Sequence, residues 1–465
     1  MKKICLFICL IFAIQLKAQT EEMIRVTGDS LVGKSINGES IREVYGNVVI
    51  TQGAVLINCN KAIQNINKNN VELAGNVVVN QDSIIIKTPN GFYDGNNKIA
   101  SSVSGVNLTD GHINLTAKKG YYYFNEKRSS FLGDVKLVDA LSVLKSNSLS
   151  YYDDEDKALA DGNVTVADTS TTLFADQLTY FRQTKDSYAS GNIRAYNPKN
   201  FFVIFGDSLI DQKSSNYSKI TGNSFLVKID TSSTVGNDTL YIAAKSMEAY
   251  SDSTELLIAS DSVKIVRGDF SSLNDKTYFY RESGLMKTNK EENSINPPIL
   301  WSGQAQLVGD SVTITLVNKK LDSIDIKNNS SIITASLDSL NRFDQISGKN
   351  IILFFNEGKL ERSSINGNAL SIYYFYEDGE PNGLLKASSE NAKMFFEENK
   401  VIDVRFYKNA ISEYHPENLV AGNEKSFVIP TFKIYEGKPA PNFIYDTFQK
   451  YFEQLKEDNQ FNVER

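Results

Sequence analysis

The chain has 465 residues, of which 41% are hydrophobic and 23% are charged, and its formal net charge is −7 at pH 7. An acidic chain without an evident basic patch opposes the binding of polyanions through charge alone, so a nucleic-acid-binding function is excluded. Any anionic partner is therefore expected to be held mainly by its apolar part.

Residues 1–18 have the features of a secretory signal peptide. Two lysines precede an apolar run from Ile4 to Ile14, and Ala18 is a residue after which a signal peptidase can cut. The run is shorter than the ~20 residues that span a membrane. We expect the protein to be exported without a lipid anchor. The mature sequence then keeps Cys59 as its single cysteine, so it cannot form an internal disulfide.

A glycine, usually followed by Asn or Asp and then by alternating apolar residues, recurs at nearly constant spacing. The markers are Gly46, Gly75, Gly105, Gly133, Gly162, Gly191 and Gly222, at successive separations of 29, 30, 28, 29, 29 and 31 residues. Self-similarity at one period indicates a repeat architecture. Because glycine and asparagine tolerate positive φ, each marker is predicted to be a turn after which a strand begins.

Apolar residues at alternate positions after the first six markers form a stripe, whereas the residues between them are mixed and often polar. They are the second and fourth residues after the marker, or the first and third after Gly105. This alternation predicts half-buried strands with one apolar face. The candidate residues of that face are Val48, Ile50, Val77, Val79, Val106, Leu108, Val135, Leu137, Val164, Val166 and Ile193.

Between two markers, an aromatic pair precedes a turn that carries a lysine, as in Tyr122-Tyr123 before Lys127 and Tyr180-Phe181 before Lys185. We interpret this as a second strand with its own turn. About 29 residues accommodate two short strands and two turns at ~3.3 Å per residue. The first part of the chain is therefore predicted to be all-β and modular.

The sequence predicts a first repeat domain at residues 19–286, a charged linker that ends in a proline pair at 287–298, and a second, related β module at 299–440. Residues 441–465 are predicted to form a short amphipathic helix that packs on or caps the last strands. Its apolar residues are Phe443, Ile444, Phe448, Phe452 and Leu455.

The order of a small residue, a polar residue, an aromatic pair, a lysine-bearing turn and then Gly-Asn-Val-x-Val resembles the OstA-like family of periplasmic lipopolysaccharide-transport bridge proteins. The resemblance covers most of residues 20–290 and, more weakly, 299–415. It implies a slotted antiparallel β-jelly roll, whose two facing sheets hold the acyl chains of lipopolysaccharide or a related glycolipid between them. It also implies end-to-end strand pairing with other lipopolysaccharide-transport proteins, in the periplasm and next to the outer membrane.

The apolar stripe is the candidate lining of this lipid groove. Burial of an acyl chain of about a dozen methylenes is worth roughly 10 kcal/mol gross at ~0.8 kcal/mol per methylene, which suffices without charge. For any single valine of the stripe, the alternative to lipid contact is a purely structural role, in which the side chain packs on the opposite sheet.

Enzyme functions are disfavoured, and no catalytic residue, metal ligand or cofactor is predicted. His112 and His415 each lack a partner at metal-ligand spacing, and the sequence has no Gly-x-Ser-x-Gly motif and no glycine-rich phosphate loop. The best enzyme alternative is a polysaccharide-active enzyme with a parallel β-helix fold. Parallel strands would support this alternative, and antiparallel strands would exclude it.

A third interpretation is a secreted β-repeat surface scaffold or adhesin. Asp followed by Ser or Thr and an aliphatic residue resembles an exported O-glycosylation site, although a turn that leads into a strand has the same composition. These sites begin at Asp29, Asp82, Asp207, Asp238, Asp261, Asp310, Asp322 and Asp338.

The first repeat, from Val26 to Thr51, lacks proline and lysine-rich capping, so we expect an open edge to which a partner strand can pair. At the other end, Pro430, the pair Pro439 and Pro441, and the tail are expected to restrict pairing.

Overall fold

The computed structural model describes residues 23–81, 84–197, 202–230, 238–318, 320–336, 342–398 and 400–439. Over these residues the chain is almost entirely β-strand, and all the strand pairs are antiparallel, which confirms the predicted all-β class. The predicted signal peptide and C-terminal helix lie outside the described residues. The described helices do not include one long and apolar enough to cross a membrane.

The strands, in chain order, are β1 Arg25–Thr27, β2 Ser30–Ile36, β3 Glu39–Gln52, β4 Val55–Asn65, β5 Asn70–Gln81, β6 Ile84–Asp94, β7 Ile99–Ser102, β8 Val106–Thr109, β9 Asn114–Ala117, β10 Lys119–Tyr123, β11 Arg128–Val138, β12 Val143–Tyr152, β13 Lys157–Ala167, β14 Thr172–Phe181, β15 Ser187–Asn197, β16 Phe202–Gln212, β17 Tyr217–Asp230, β18 Asp238–Tyr250, β19 Leu256–Arg267, β20 Phe270–Tyr280, β21 Leu285–Asn289, β22 Ile299–Ser302, β23 Ala305–Val308, β24 Ser311–Val317, β25 Lys320–Ala335, β26 Phe343–Asn356, β27 Lys359–Glu377, β28 Glu380–Glu397, β29 Lys400–Tyr407 and β30 Ile411–His415. The helical elements are α1 Glu417–Val420 and the single 3-10 turns Asp153–Glu155, Lys213–Ser215 and Glu424–Ser426.

The Gly-Asn markers are β-bulges inside long strands, not the turns that the sequence predicted. In β3, Tyr45 pairs with Lys61 and Val48 pairs with Cys59, so two residues oppose one. Gly46 and Asn47 occupy the bulge with φ of 74° and 42°. A turn and a bulge both use positive φ, and a bulge bends its strand without ending it.

The bulge recurs at most of the other markers and also where glycine is absent, whereas Gly105 lies between the separate strands β7 and β8. The same two-against-one register shift occurs in β5, β13, β15 and β17. Asp261-Ser262 in β19 and Asn328-Asn329 in β25 take the two positive-φ positions. Side-chain amides of several bulges donate hydrogen bonds to a carboxylate in or just before a neighbouring strand, as in Asn47 to Asp29 at 3.0 Å, Asn192 to Asp176 at 2.8 Å and Asn329 to Asp310 at 2.8 Å.

The first compact unit comprises residues 23–140 and 150–153. In it, β3, β4, β5 and β6 pair in sequence. Before its bulge β3 also pairs with β2, and after it with β1. In the same way β6, which has no bulge of its own, pairs with β7 on one side of the β5 bulge and with β8 on the other. The bulges of β3 and β5 thus divide the ladder into two halves. The leading half holds the residues that precede these bulges and the residues paired with them, and the trailing half holds the rest.

The leading and trailing halves of the first unit face each other. Tyr93 of β6 pairs with Val71 and so lies in the leading half. Its hydroxyl donates a 2.5 Å hydrogen bond to Oε1 of Gln52, the last residue of β3, which lies in the trailing half. Two strands separate β3 from β6, so these residues would lie about 14 Å apart along an unfolded sheet. The contact requires a sheet folded over at the bulges, and the two predicted facing sheets are therefore the two halves of the same strands.

The second compact unit comprises residues 141–149 and 154–439. Strands β13 to β20 pair in sequence, and so do β25 to β28. Of residues 287–298, predicted as a linker, 287–289 belong to β21 and 290–298 connect β21 to β22. Thr288 pairs with Thr277, and Trp301 beyond the segment pairs with Ser271 of the same strand β20. The polar composition belongs to the connection that crosses from the leading to the trailing half.

Residues from both halves form common hydrophobic clusters in the second unit. Ala160 precedes the bulge of β13 and Val164 follows it, and both belong to one buried cluster. Ile326 of the leading half and Leu307 of the trailing half share another. The core therefore lies between the two halves, on the face that the apolar stripe occupies.

Candidate functional site

The candidate site is the interior between the two halves, which the predicted stripe lines. The stripe residues nearest to each marker are all buried, namely Val48, Val77, Val106, Val135, Val164 and Ile193. At the next stripe position, two residues further along each strand, Ile50, Val79 and Leu108 are buried, whereas Leu137 and Val166 are half-buried. Lys136, between two stripe residues, is exposed. The structure thus has the inward register that the alternation predicted.

The opposite wall of the interior comes from residues that the sequence analysis missed. They lie two positions before each bulge and are buried: Val44, Leu73, Phe131, Ala160, Ala189 and Ile220. The available signal was the apolar residue at this position in most copies. It was missed because the glycine was interpreted as the start of a strand and not as its middle.

The interior of the first unit is closely packed. A cavity of about 20 Å³ lies among residues that include Leu73 and Phe131 from the leading half and Val77 and Val106 from the trailing half. This volume holds about one water molecule, whereas sites for drug-sized ligands are typically 300–1,000 Å³. A long acyl chain can therefore enter this part of the interior only if the two halves move apart.

Cys59 belongs to the interior as a packing residue. It pairs with Val48 across β3 and β4 and is 5% exposed. Burial raises the pKa of its thiol, although backbone hydrogen bonds oppose that effect. A protonated, buried thiol is a poor nucleophile.

The outer side of the bulges carries a different kind of surface. A depression of about 430 Å³ in the second unit is lined by residues that include Asp161, Asp176 and Gln177. Its carboxylates and amides are unsuited to an acyl chain, because an apolar group buried there would leave polar groups without water.

The geometry also bears on the β-helix enzyme and the glycosylated scaffold, the two alternative interpretations of the sequence. A parallel β-helix is excluded, because the described strand pairs are antiparallel. Among the described residues, no group of three His, Cys, Asp or Glu side chains could hold a metal ion. Asp29 and Asp310, predicted as possible glycosylation sites, accept hydrogen bonds from bulge asparagines. Asp261 is itself part of a bulge. The Asp-Ser pattern therefore has a structural role at these positions.

Comparison with known families finds a match near the start of the chain. Residues 23–158 match the model of a family described as OstA-like protein. This region is similar to the OstA-like family. The OstA-like region contains the first four glycine markers and ends within the first residues of β13. The resemblance predicted from the repeat is thereby confirmed for these residues.

A solved structure is also similar to part of the chain. It is the crystal structure of LptH, the LptA-homologous periplasmic component of the lipopolysaccharide transport device of Pseudomonas aeruginosa. The match has 16% sequence identity and a TM-score of 0.14, and it covers 28% of this chain and 77% of the LptH chain. No curated protein matches the chain.

Proposed function

We propose that this protein is an exported, periplasmic bridge protein that carries lipopolysaccharide or a related glycolipid towards the outer membrane, and that it is not an enzyme. The acyl chains would lie between the leading and trailing halves of the strands. The observation that carries the proposal is the apolar stripe, which recurs beside most of the bulges and turns inward in both units. The OstA-like region supports the same conclusion.

The energetics of the interior are compatible with lipid binding. About a dozen methylenes contribute roughly 10 kcal/mol gross when they leave water, and part of this offsets the cost of separating the two halves. Separation loses contacts that the halves make with each other, which the acyl chain then replaces. The bulges are the natural hinge, because the ladder hydrogen bonding is locally interrupted there.

Site-specific photo-crosslinking in cells tests this proposal. A photoreactive residue at Val135 or Val164, both 1% exposed, is expected to form adducts with lipopolysaccharide. The adjacent positions Lys136 and Thr165 are matched controls that point to the other face and are expected to give few adducts. Circular dichroism and thermal melting of each variant establish that it folds. Equal labelling of the two sets would exclude the interior as the lipid site.

We also propose that the edges of the ladder pair with other lipopolysaccharide-transport proteins. The outer edge at the start of the chain belongs to β2 and β1, because β3 is paired on both sides. Leu31 and Ile36 of β2 are 54% and 50% exposed. Among the described residues, the outer sides of β2 and β29 have no strand partner. An exposed apolar edge is a template for strand addition.

A further inference from the structure

A C-terminal segment crosses the outer face of the second unit. We call residues 416–439 the strap. In β22, Leu300 belongs to the interior cluster, so its neighbour Trp301 points to the outer face. Tyr435 of the strap packs in the cluster of Trp301, and Ile429 packs in a cluster with Tyr374 of β27. The strap therefore covers apolar residues on the face opposite the lipid interior.

Two glutamines bind the strap as a neighbouring β-strand would. Gln345 of β26 donates to the Phe427 carbonyl at 3.1 Å and accepts from the Ile429 N–H at 2.9 Å. Gln306 of β23 donates to the Lys433 carbonyl and accepts from the Tyr435 N–H, both at 2.8 Å. Each pair of bonds spans a carbonyl and the N–H two residues later. The strap thus runs from β26 towards β22, across the strands.

The strap lies over a series of directly opposed residues on the outer face. This series continues beyond the end of the strap as an apolar row. Cross-strand pairing links Gln345, Ile333, Gln306, Trp301, Ser271, Val266, Tyr241, Val227, Val203 and Tyr196 in one sequence of directly opposed residues. The strap contacts the first part of this series. We call the part from Val266 to Tyr196 the outer row.

The outer row is buried although it faces away from the interior. Val203, Val227 and Val266 are 5%, 2% and 2% exposed, and they cluster with Phe205 and Phe225. The solvent-facing side of an antiparallel sheet is normally polar. A buried aromatic and aliphatic row on that side requires a cover.

We propose that residues 441–465 cover the outer row as an amphipathic helix that continues the strap. The strap brings the chain to Trp301, two strands from Val266, immediately before the apolar tail. The outer row crosses four strand spacings, or about 19 Å. A helix of the 13 residues from Phe443 to Leu455 would be about 20 Å long, which matches that length. The occupant is thus the protein's own tail.

Cysteine pairing tests the proposal in the full-length mature chain with Cys59→Ser. The helix midpoint near Phe448 would lie over β17, so the pair Val227→Cys and Phe448→Cys is expected to form an intramolecular disulfide on mild oxidation. The pair Val227→Cys and Asp446→Cys is the matched control, because position 446 lies on the opposite side of the helix. We expect at least a tenfold slower reaction for the control.

The other outcomes overturn the proposal. A disulfide between two chains would assign the outer row to a second copy, and equal or absent reaction of the two pairs would exclude the tail. Truncation after Pro439 is an independent measurement that needs no cysteine in the row. It is expected to increase binding of the dye ANS and to lower Tm, and unchanged values of both would contradict the proposal. Lipid adducts at Val135 report on the interior separately.

Discussion

Arg342 donates two hydrogen bonds, of 3.1 and 2.6 Å, to the two carboxylate oxygens of Glu417, and only 2% of its side chain is exposed. A third bond of 3.1 Å reaches Glu424. These carboxylates raise the pKa of Arg342 against the effect of its burial. The ion pair of the buried Arg342 with Glu417 thus attaches the start of the strap to the residue that directly precedes β26.

Glu417→Gln is expected to destabilise the second unit by about 2 kcal/mol, because a buried guanidinium loses one of its two neutralising carboxylates. The remaining bond to Glu424 limits the loss. Glu436→Gln, at an exposed strap position, is the matched control. Chemical denaturation of both variants checks the prediction, and equal effects would contradict it.

Asp344 gives the second unit a specific pH dependence. Burial raises the pKa of its carboxyl to about 6 from 3.8, although the Tyr374 N–H donates a 3.0 Å hydrogen bond that opposes the rise. Because the pKa is higher in the folded state, the contribution of Asp344 to stability is complete below pH 3.8 and is lost as the pH rises through 6. Asp344→Asn is therefore expected to raise Tm at pH 7.5 and to change it little at pH 4. Equal shifts at both pH values would show that the carboxyl does not titrate in this way.

The cross-interior bond predicts a stability effect in the first unit. Tyr93→Phe removes the hydroxyl that donates to buried Gln52, and we expect a loss of roughly 1–2 kcal/mol in the free energy of unfolding. Tyr188→Phe, at a residue that is 37% exposed, is expected to be nearly neutral. A neutral Tyr93→Phe variant would mean that the contact contributes nothing to holding the two halves together.

The close packing around the β13 bulge predicts that glycine is favoured at the first position of this bulge. Gly162 has a φ of 76°, and a Cβ there would approach Nδ2 of Asn147 to 2.5 Å. Gly162→Ala is expected to cost roughly 1–2 kcal/mol. Gly33→Ala, in β2 with open space around its Cβ, is the control and is expected to be neutral or stabilising. The double variant with Asn147→Ala separates the steric part from the backbone strain.

Proline in the first edge strand tests the proposed assembly. Leu31→Pro or Val32→Pro removes an N–H from β2, and one of the two N–H groups points away from β3 because alternate residues of a strand pair on alternate sides. We expect the outward-pointing position to lose copurification with transport partners while Tm stays near that of the unmodified protein. Undiminished copurification of both variants would exclude β2 as the joint.

The sequence predicted those features that depend on short-range alternation of residues and that recur in each repeat. Val48 and Ile50 were placed on the inner face by period-two alternation, which a regular strand enforces. The same glycine and asparagine were assigned to a turn, because their positive φ does not distinguish a turn from a bulge. The strap contacts of Gln306 and Gln345 were not predictable. Their partners lie 82 to 129 residues away in a segment outside the repeat, so no periodic signal connects them.

The sequential pairing of the strands makes the repeat a unit of length. Most strands pair with the strand before and the strand after in the chain, so one repeat of about 29 residues adds two strands and about 10 Å to the ladder. Insertion or loss of a complete repeat leaves every remaining bulge opposite its own neighbour. The number of repeats thus sets the length of the ladder in steps of about 10 Å. A longer or shorter ladder can therefore evolve by gain or loss of repeats, without a new fold.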